Sequence, residues 1–212
     1  MTSQVENTDV EALRRAYLDL MRDSLIGRLN RDPPLPSSKV DAYYEEYREQ
    51  GWDWPSAAPS MVGFKRMENV RAECERVIRE GVPGDFMETG VWRGGAVMMM
   101  RAVLKAYVIA DRRVIAADSF SGLPPPSEGV APDAGAEFHT WKDFAVSLPE
   151  VKANFARYGL LDEQVDVQAR GGRLTIAWAG GRDLAAPVLA DASTVLTPKT
   201  PENSAATQPT PT

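Results

Sequence analysis

Two acidic residues and a group of glycines have the types and spacing that can hold a charged small molecule. Glu88 lies near the end of a short apolar run, and Gly90, Gly94 and Gly95 follow it before a second apolar segment. Asp118 closes the next apolar run along the chain. An acid in that position commonly accepts the ribose hydroxyls of a nucleoside. The pattern predicts a strand, turn, helix and second strand that bind a nucleoside-containing cofactor at the carboxyl edge of a parallel sheet.

Glu88 distinguishes between two cofactors of this kind. A carboxylate repels a pyrophosphate in a partly dry site, but it suits the cationic amino group of S-adenosylmethionine. The glycine spacing also differs from the G-x-G-x-x-G fingerprint of dinucleotide sites. We therefore favour S-adenosylmethionine over NAD, and an NAD-dependent oxidoreductase is the weaker alternative. In a third interpretation the glycines form an ordinary tight turn and Glu88 is a surface acid.

The elements that must position these residues alternate between helices and strands. Apolar residues recur at helical spacing in four segments, and three short apolar runs have the length of strands. The predicted helices are 9–28, 60–80, 96–110 and 149–158, and the predicted strands are 85–89, 112–117 and 165–168. An α/β fold follows, with a helical extension before the sheet.

The pattern is lost after residue 168. Ala, Thr, Pro and Gly dominate the remainder, and only 174–178 and 188–196 resemble short strands or helical turns. We divide the chain into an N-terminal helical or lid region (1–82), a Rossmann-like cofactor-binding portion (83–168) and a divergent, poorly ordered tail (169–212). A doubly wound sheet needs more strands than this, so the C-terminal strands are predicted to be incomplete.

Composition excludes several classes of protein. The 212 residues are 43% hydrophobic and 25% charged, with a net charge of -6, which argues against nucleic-acid binding because phosphates need clustered Lys and Arg. Cys74 is the only cysteine, so the chain can form no internal disulfide, and its helical apolar neighbours favour a packed thiol over a nucleophile. The first 30 residues lack a signal-peptide core, and no apolar run is long enough for a membrane span. We expect a cytoplasmic protein that binds no membrane.

Several ungapped blocks resemble the macrocin O-methyltransferase (TylF/MycF-like) family, which methylates sugar hydroxyls of macrolides and related natural products. The blocks lie in the family's order between residues 10 and 165. They read MVGFKRM (61–67), DFMETGVWRGGA (85–96), MMMRAVLKAY (98–107), ADSFSGLP (117–124) and NFARYGLLD (154–162). The resemblance implies a Rossmann-like methyltransferase fold, a glycosylated small-molecule acceptor, S-adenosylmethionine as donor, Mg²⁺ as a second cofactor and a possible homo-oligomer.

The resemblance also implies which residues hold the donor. The matching positions assign Glu88, Thr89, Gly90, Arg93 and Gly94 to the methionine end of S-adenosylmethionine. Asp118 and Ser119 fall at its ribose. Met61, the first residue of the segment that precedes the first strand, is also predicted to bind the cofactor.

The chain departs from the family where the metal should bind. Family members carry an Asp near a later strand end and an Asp-Asp pair, and this chain has no Asp-Asp pair. Asp183 and Asp191 lie outside the resemblance and are interpreted as solvated surface acids, so no metal ligand and no catalytic base is predicted. The alternative function is therefore a truncated or frame-shifted remnant that at most binds the cofactor. Translation of the downstream DNA in the other two frames tests a frame change near residue 166.

Two further features lie where an acceptor sugar could bind. His139, the only histidine, follows the second strand and either contacts substrate or is incidental. An aromatic patch precedes the sheet, and it either closes over the acceptor as a lid or packs the N-terminal helices on the core or on a partner. The patch consists of Tyr43, Tyr44, Tyr47, Trp52 and Trp54.

Overall fold

The computed structural model describes residues 2–126, 135, 137–169, 174–177 and 183–186. Five α-helices and five strands lie in these ranges. The helices are α1 (Thr2–Leu25), α2 (Glu45–Gln50), α3 (Gly63–Arg79), α4 (Gly95–Ala106) and α5 (Leu148–Arg157). The strands are β1 (Phe86–Thr89), β2 (Val114–Asp118), β3 (Val165–Ala169), β4 (Leu174–Ala177) and β5 (Asp183–Ala186). None of the described helices is long and apolar enough to cross a membrane.

Strands β1, β2 and β3 form a parallel sheet with β2 in the centre. The helix α4 connects β1 to β2, and α5 connects β2 to β3. Val114 and Ala116 of β2 are buried in the same apolar cluster as Met98 of α4 and Phe155 of α5. This is the predicted α/β fold, and within the described residues its parallel sheet has three strands.

The N-terminal helices pack on α4 rather than on the sheet. Helices α1 and α3 both contact α4. The predicted apolar stripe of α1 is buried only towards its C-terminal end, where Met21 and Leu25 join the core, whereas Leu13 is 70% exposed. The helix ends before the predicted residue 28 because the chain turns sharply at Gly27 (φ 70°). A side chain there would lie 2.9 Å from Arg48 Nη1.

A buried ion pair fixes the loops that follow α1 and α2. Arg48 is 1% exposed and its guanidinium contacts the carboxylate of Asp53 at 2.6 and 3.0 Å. The same guanidinium donates to the carbonyls of Ile26 and Asp32. The carboxylate of Asp32 in turn accepts the amides of residues 57 and 58. Arg48 and Asp53 pair with each other, and the Asp32 carboxylate has hydrogen-bond donors in place of an ionic partner, so each buried charge is satisfied.

Strands β4 and β5 pair antiparallel in a separate sheet. The predicted short segment 174–178 is therefore a strand within the region assigned to the tail, and Asp183 is the first residue of β5. The predicted segment 188–196, Asp191 and most of the remaining tail lie outside the described residues.

Candidate donor-binding site

A cavity of about 220 Å³ opens at the carboxyl end of β1, beside the N-terminus of α4. It brings together three of the predicted donor-binding residues, Met61, Glu88 and Gly90. Trp54, Trp92 and Arg66 also line it. The cavity lies where ligands bind in parallel α/β sheets, outside the carboxyl ends of the strands.

The carboxylate of Glu88 lies inside this cavity with little to stabilise its charge. Burial, together with the negative charge of Asp118, raises the pKa of Glu88 to about 8, and the amide of Val97 at 3.2 Å only partly opposes the rise. No cation contacts Glu88 among the described residues. An ammonium group placed beside it would supply the missing positive charge.

Asp118 holds the two turns that frame the site. Its Oδ2 accepts the amide of Val91 at 2.6 Å, and its Oδ1 accepts the amide of Phe120 at 3.0 Å. It does not line the cavity. Each carboxylate oxygen has a second lone pair, so Asp118 can bind the ribose hydroxyls while it fixes these turns.

The three glycines differ in what surrounds them. Gly90 has φ of 83° and open space where a side chain would lie. At Gly94 (φ 94°) a β-carbon would lie 3.2 Å from both Phe155 and Val151, and at Gly95 it would lie 2.3 Å from Ser60. Gly90 therefore leaves room for a ligand, whereas Gly94 and Gly95 allow α4 to pack against α5 and against the 59–60 segment.

The N-terminus of α4 is largely occupied by protein groups. The amide of Gly95 donates to the carbonyl of Pro59 at 3.1 Å, and the amide of Val97 donates to Glu88. Amides at the start of a helix commonly face an anionic ligand group. The structure assigns them to the loop before α3 and to the acid that lines the cavity.

The other predicted donor residues lie around the cavity rather than in its wall. Arg93 points towards the loop before α3, where its Nη1 donates to the carbonyls of Pro55 (3.0 Å) and Ala58 (3.3 Å). Burial lowers the pKa of this guanidinium. Thr89 is exposed at the end of β1, and the hydroxyl of Ser119 donates to the carbonyl of Gly122 at 3.1 Å.

A second aromatic group, which the sequence did not single out, lies beside the cavity. The ring of Trp54 is 5.7 Å from that of Trp141 and 5.2 Å from that of Phe144, and the last two rings are stacked. Phe138 packs on both and is 50% exposed. The only earlier signal was the aromatic content of residues 138–144. We call Trp54, Phe138, Trp141 and Phe144 the aromatic wall.

The residues of the predicted aromatic patch therefore belong to two separate groups in the structure. Tyr47 packs against Tyr44 and Trp52, away from the aromatic wall, while Trp54 joins the wall. His139 lies in a short 3-10 helix of the same segment, with an exposed side chain. It does not line the cavity at the end of β1.

A larger cavity of about 460 Å³ lies on the other side of the loop that ends at Pro59. Its lining includes Asn30, Arg157 and the hydrogen-bonded pair Ser24 and Tyr158. None of the predicted site residues lines it. Pro59 is common to both cavities.

The side chains of the donor site fit S-adenosylmethionine but not a metal ion. The uncompensated carboxylate of Glu88 suits an ammonium group, and the space at Gly90 admits a ligand close to the backbone. Within the described ranges, no three His, Cys, Asp or Glu side chains lie close enough together to hold a metal ion. No step is therefore assigned to a metal at these residues.

Comparisons with known proteins show which proteins this chain is similar to. A demethyldecarbamoylnovobiocin O-methyltransferase of Streptomyces niveus is 48% identical over 154 residues, 70% of this chain and 59% of the relative. An 8-demethyl-8-(2,3-dimethoxy-alpha-L-rhamnosyl)-tetracenomycin-C 4'-O-methyltransferase of Streptomyces olivaceus is 46% identical over 158 residues, 73% of this chain and 60% of the relative. The chain thus spans about three-fifths of the length of these relatives.

A solved O-methyltransferase structure is also similar to this chain. The O-methyltransferase NovP superposes with a TM-score of 0.69 at 47% identity, over 73% of this chain and 63% of that protein. The model of the macrocin O-methyltransferase (TylF) family matches residues 8–174, slightly more than the range of resemblance found in the sequence. The glycine turn, the two acids at neighbouring strand ends and these matches agree, and the chain belongs to the macrocin O-methyltransferase family.

Proposed function

We propose that this chain binds S-adenosylmethionine and takes part in methyl transfer to a sugar hydroxyl of a glycosylated secondary metabolite. One observation carries the proposal: Glu88 is an uncompensated acid in a cavity at the carboxyl end of β1, in a chain of the macrocin O-methyltransferase family. The relatives support the reaction class, because both are O-methyltransferases. The relative from Streptomyces olivaceus supports the sugar, because its name identifies a rhamnosyl compound.

The proposal assigns a role to each of the following residues of the candidate site. Glu88 binds the ammonium of the donor's methionine end, and Asp118 accepts the ribose hydroxyls while it holds the turns after β1 and β2. Met61 and Gly90 border the methionine end, and Arg93 holds the loop that carries Trp54. The bound donor supplies an electrophilic methyl group on a sulfonium, so the protein has to orient the hydroxyl for in-line attack and exclude water.

The aromatic wall is the proposed acceptor surface. Sugars and their apolar aglycones stack on aromatic faces, and Trp54 belongs both to the wall and to the cavity lining. His139 lies in the same segment as Phe138 and is the proposed substrate contact there. A cytoplasmic location remains a prediction from the sequence, and a homo-oligomer remains an expectation from the family resemblance.

A second candidate function is cofactor binding without transfer. Within the described ranges no three potential metal ligands cluster, and none of the roles proposed above removes the proton from the acceptor hydroxyl. Magnesium dependence therefore remains an expectation from the family resemblance. Both candidate functions require Glu88 to bind the donor, and they differ only in turnover.

A titration calorimetry experiment with S-adenosylmethionine tests donor binding. Glu88→Gln should weaken binding by about 100-fold, because the ammonium loses a partly buried ionic partner. Glu163→Gln, which changes an exposed acid, is the matched control and should bind like the unmodified chain. Equal affinity in the two variants would exclude Glu88 as the ammonium ligand.

Turnover separates the two candidate functions. The full chain is incubated with donor and a panel of rhamnosylated acceptors, with and without Mg²⁺, and methylated product is measured by mass spectrometry. Product that depends on Mg²⁺ supports the transferase, whereas donor binding with no product under either condition supports a binding protein. Failure to bind donor at all contradicts both.

A further inference from the structure

The donor cavity contains one cationic side chain to which the proposed function gives no role. Arg66 of α3 lines this cavity together with Glu88 of β1. The side chain of Arg66 is exposed, and it takes part in no ion pair or hydrogen bond with any other residue that the structure describes. The neighbouring Lys65, by contrast, pairs with Glu49 at 3.6 Å. The guanidinium of Arg66 is therefore available to a ligand in the cavity.

The start of α3 adds positive potential beside Arg66. Met61 and Val62 immediately precede this helix, and both line the cavity. No side chain caps the N-terminus of α3, and the first turn of the helix contains no acid. The N-terminus of a helix carries a partial positive charge and favours an anion. Because Arg66 lies in the first turn of α3, the guanidinium and the helix start favour an anion in the same part of the cavity.

The cation and the acid of this cavity do not neutralise each other. Among the described residues, Glu88 forms no ion pair with Arg66 or with any other cation. The charge that acts on the Glu88 carboxylate is the negative one of Asp118. An acid and a cation that line one cavity without touching leave space between them for a ligand that carries both charges. The amino acid end of S-adenosylmethionine is such a ligand, because its ammonium and its carboxylate are attached to the same carbon atom.

We propose that Arg66 binds the carboxylate of the donor's methionine end and makes the site selective for a donor that carries this carboxylate. This role rests on the proposed function, in which Glu88 binds the ammonium of the same end. The guanidinium of an arginine fits a carboxylate through two parallel N–H···O bonds, and the positive end of α3 favours the same anionic group. A donor analogue without the carboxylate keeps the ammonium, the sulfonium and the nucleoside, so it loses this contact alone.

Titration calorimetry of the full chain with S-adenosylmethionine and with decarboxylated S-adenosylmethionine tests this role. The unmodified chain should bind S-adenosylmethionine at least about tenfold more tightly, because the analogue cannot form the charge-assisted bonds to Arg66. Arg66→Gln should weaken binding of S-adenosylmethionine by at least about tenfold and change that of the analogue by less than about twofold, so the preference disappears. Arg66→Lys should keep part of the preference, because it retains the charge but not the two parallel bonds.

Two further variants separate this contact from the rest of the site. Arg79→Gln removes an exposed arginine at the opposite end of α3, outside the cavity lining, and is the matched control. It should bind both ligands like the unmodified chain. Glu88→Gln should weaken both ligands to a similar extent, because both carry the ammonium, and it should therefore keep the preference for S-adenosylmethionine.

The possible results distinguish a failure of this role from a failure of the proposed function. If the unmodified chain binds neither ligand, both are wrong. If it binds both ligands equally well, or if Arg66→Gln binds both like the unmodified chain, the donor still binds but Arg66 is a solvated surface residue. Equal weakening of both ligands in Arg66→Gln would show that Arg66 supports the cavity without contacting the carboxylate. Each of these results overturns the proposed contact between Arg66 and the carboxylate.

Discussion

Burial disfavours the negative charge of the Glu88 carboxylate. In the proposed complex, the ammonium group of the donor stabilises that charge. Its pKa of about 8 means that the free site is largely protonated near neutral pH. Donor binding therefore requires Glu88 to lose a proton below pH 8, and above pH 8 the donor's own amino group loses its proton. The affinity of the site should consequently depend on pH in both directions.

We predict that donor affinity rises from pH 6 to a maximum near pH 8 and falls above it. The rise should approach tenfold per pH unit, since one proton is released on binding. Calorimetry across this range measures it. Glu88→Gln should lose the rising limb, and a wild-type affinity that is flat between pH 6 and pH 8 would contradict an ammonium bound by Glu88.

The same acid should lower the stability of the free chain. Its pKa is about 8 in the folded chain against an ordinary value of 4.5, so folding favours the protonated form. The contribution of Glu88 to the free energy of unfolding is therefore highest below pH 4.5, and it falls as the pH rises to about 8. At pH 8, Glu88→Gln should stabilise the donor-free chain by roughly 1–3 kcal/mol, measured by urea unfolding. Stability equal to the unmodified chain at pH 8 would contradict the raised pKa.

Two glycines of one motif should respond differently to the same substitution. Gly94→Ala should destabilise the chain by roughly 1–3 kcal/mol, because φ is 94° and the methyl group would press on Phe155 and Val151. Gly90→Ala has the same backbone strain but open space, so it should lose less stability and instead weaken donor binding by at least about tenfold. Thermal unfolding and calorimetry on both variants separate these effects. Equal losses of stability would contradict the distinction.

The sequence could not make this distinction between the glycines. It predicted correctly that a glycine-bearing turn follows β1, because the types and spacing are local. Which glycine faces a ligand depends on α5 and on the 59–60 segment, and these are far away in sequence. For the same reason the family resemblance assigned Arg93 to the donor but gave no sign that its guanidinium holds the loop before α3.

At the scale of elements, prediction succeeded where the apolar pattern is strong. The helices α3, α4 and α5 and the three parallel strands lie within a few residues of their predicted bounds. The prediction was less accurate for α1. Its apolar stripe is only partly buried, because α4 packs against the C-terminal half of α1 alone. The aromatic wall was missed because its members come from two segments that only the fold brings together.

The loop between α2 and α3 depends on the Arg48 and Asp53 pair. Arg48→Met leaves the carboxylate of Asp53 buried without a partner, so it should cost about 3–5 kcal/mol in unfolding free energy. Arg76→Met breaks exposed pairs on α3 and should cost less than about 1 kcal/mol. Urea unfolding of the two variants gives the comparison. Similar costs would show that the buried pair contributes no more than surface pairs.

For the molecule as a whole, donor binding and metal binding should be independent. Saturating donor stabilises the chain by mass action, by about 2.7 kcal/mol at one hundred times its dissociation constant. Since no three potential metal ligands cluster in the described ranges, EDTA should leave the donor-dependent rise in melting temperature unchanged. Thermal unfolding with donor, with and without EDTA, measures this. Loss of the rise on adding EDTA would reveal a metal-dependent donor site.

The overall fold was predicted more from the family resemblance than from the periodicity of apolar residues. Apolar periodicity indicated the α/β class. The several blocks that lie in the family's order indicated the methyltransferase architecture, and the family match over residues 8–174 agrees with it. After residue 168 the pattern weakened, and the antiparallel pairing of β4 with β5 was not predicted. Short strands carry too little periodicity to reveal their partners.

The two segments beside the donor cavity, 55–60 and 138–144, differ in how firmly they are anchored. The backbone of residues 55–60 is hydrogen-bonded to the side chains of Asp32 and Arg93 and to the backbone of Gly95 and Leu25. The 138–144 segment meets β1's turn through one indole bond, from Trp92 Nε1 to the carbonyl of Asp143. Acceptors of different shape should therefore be accommodated by movement of the 138–144 side. Changes in acceptor preference among engineered or natural variants should map to that segment, while 55–60 stays constant in conformation.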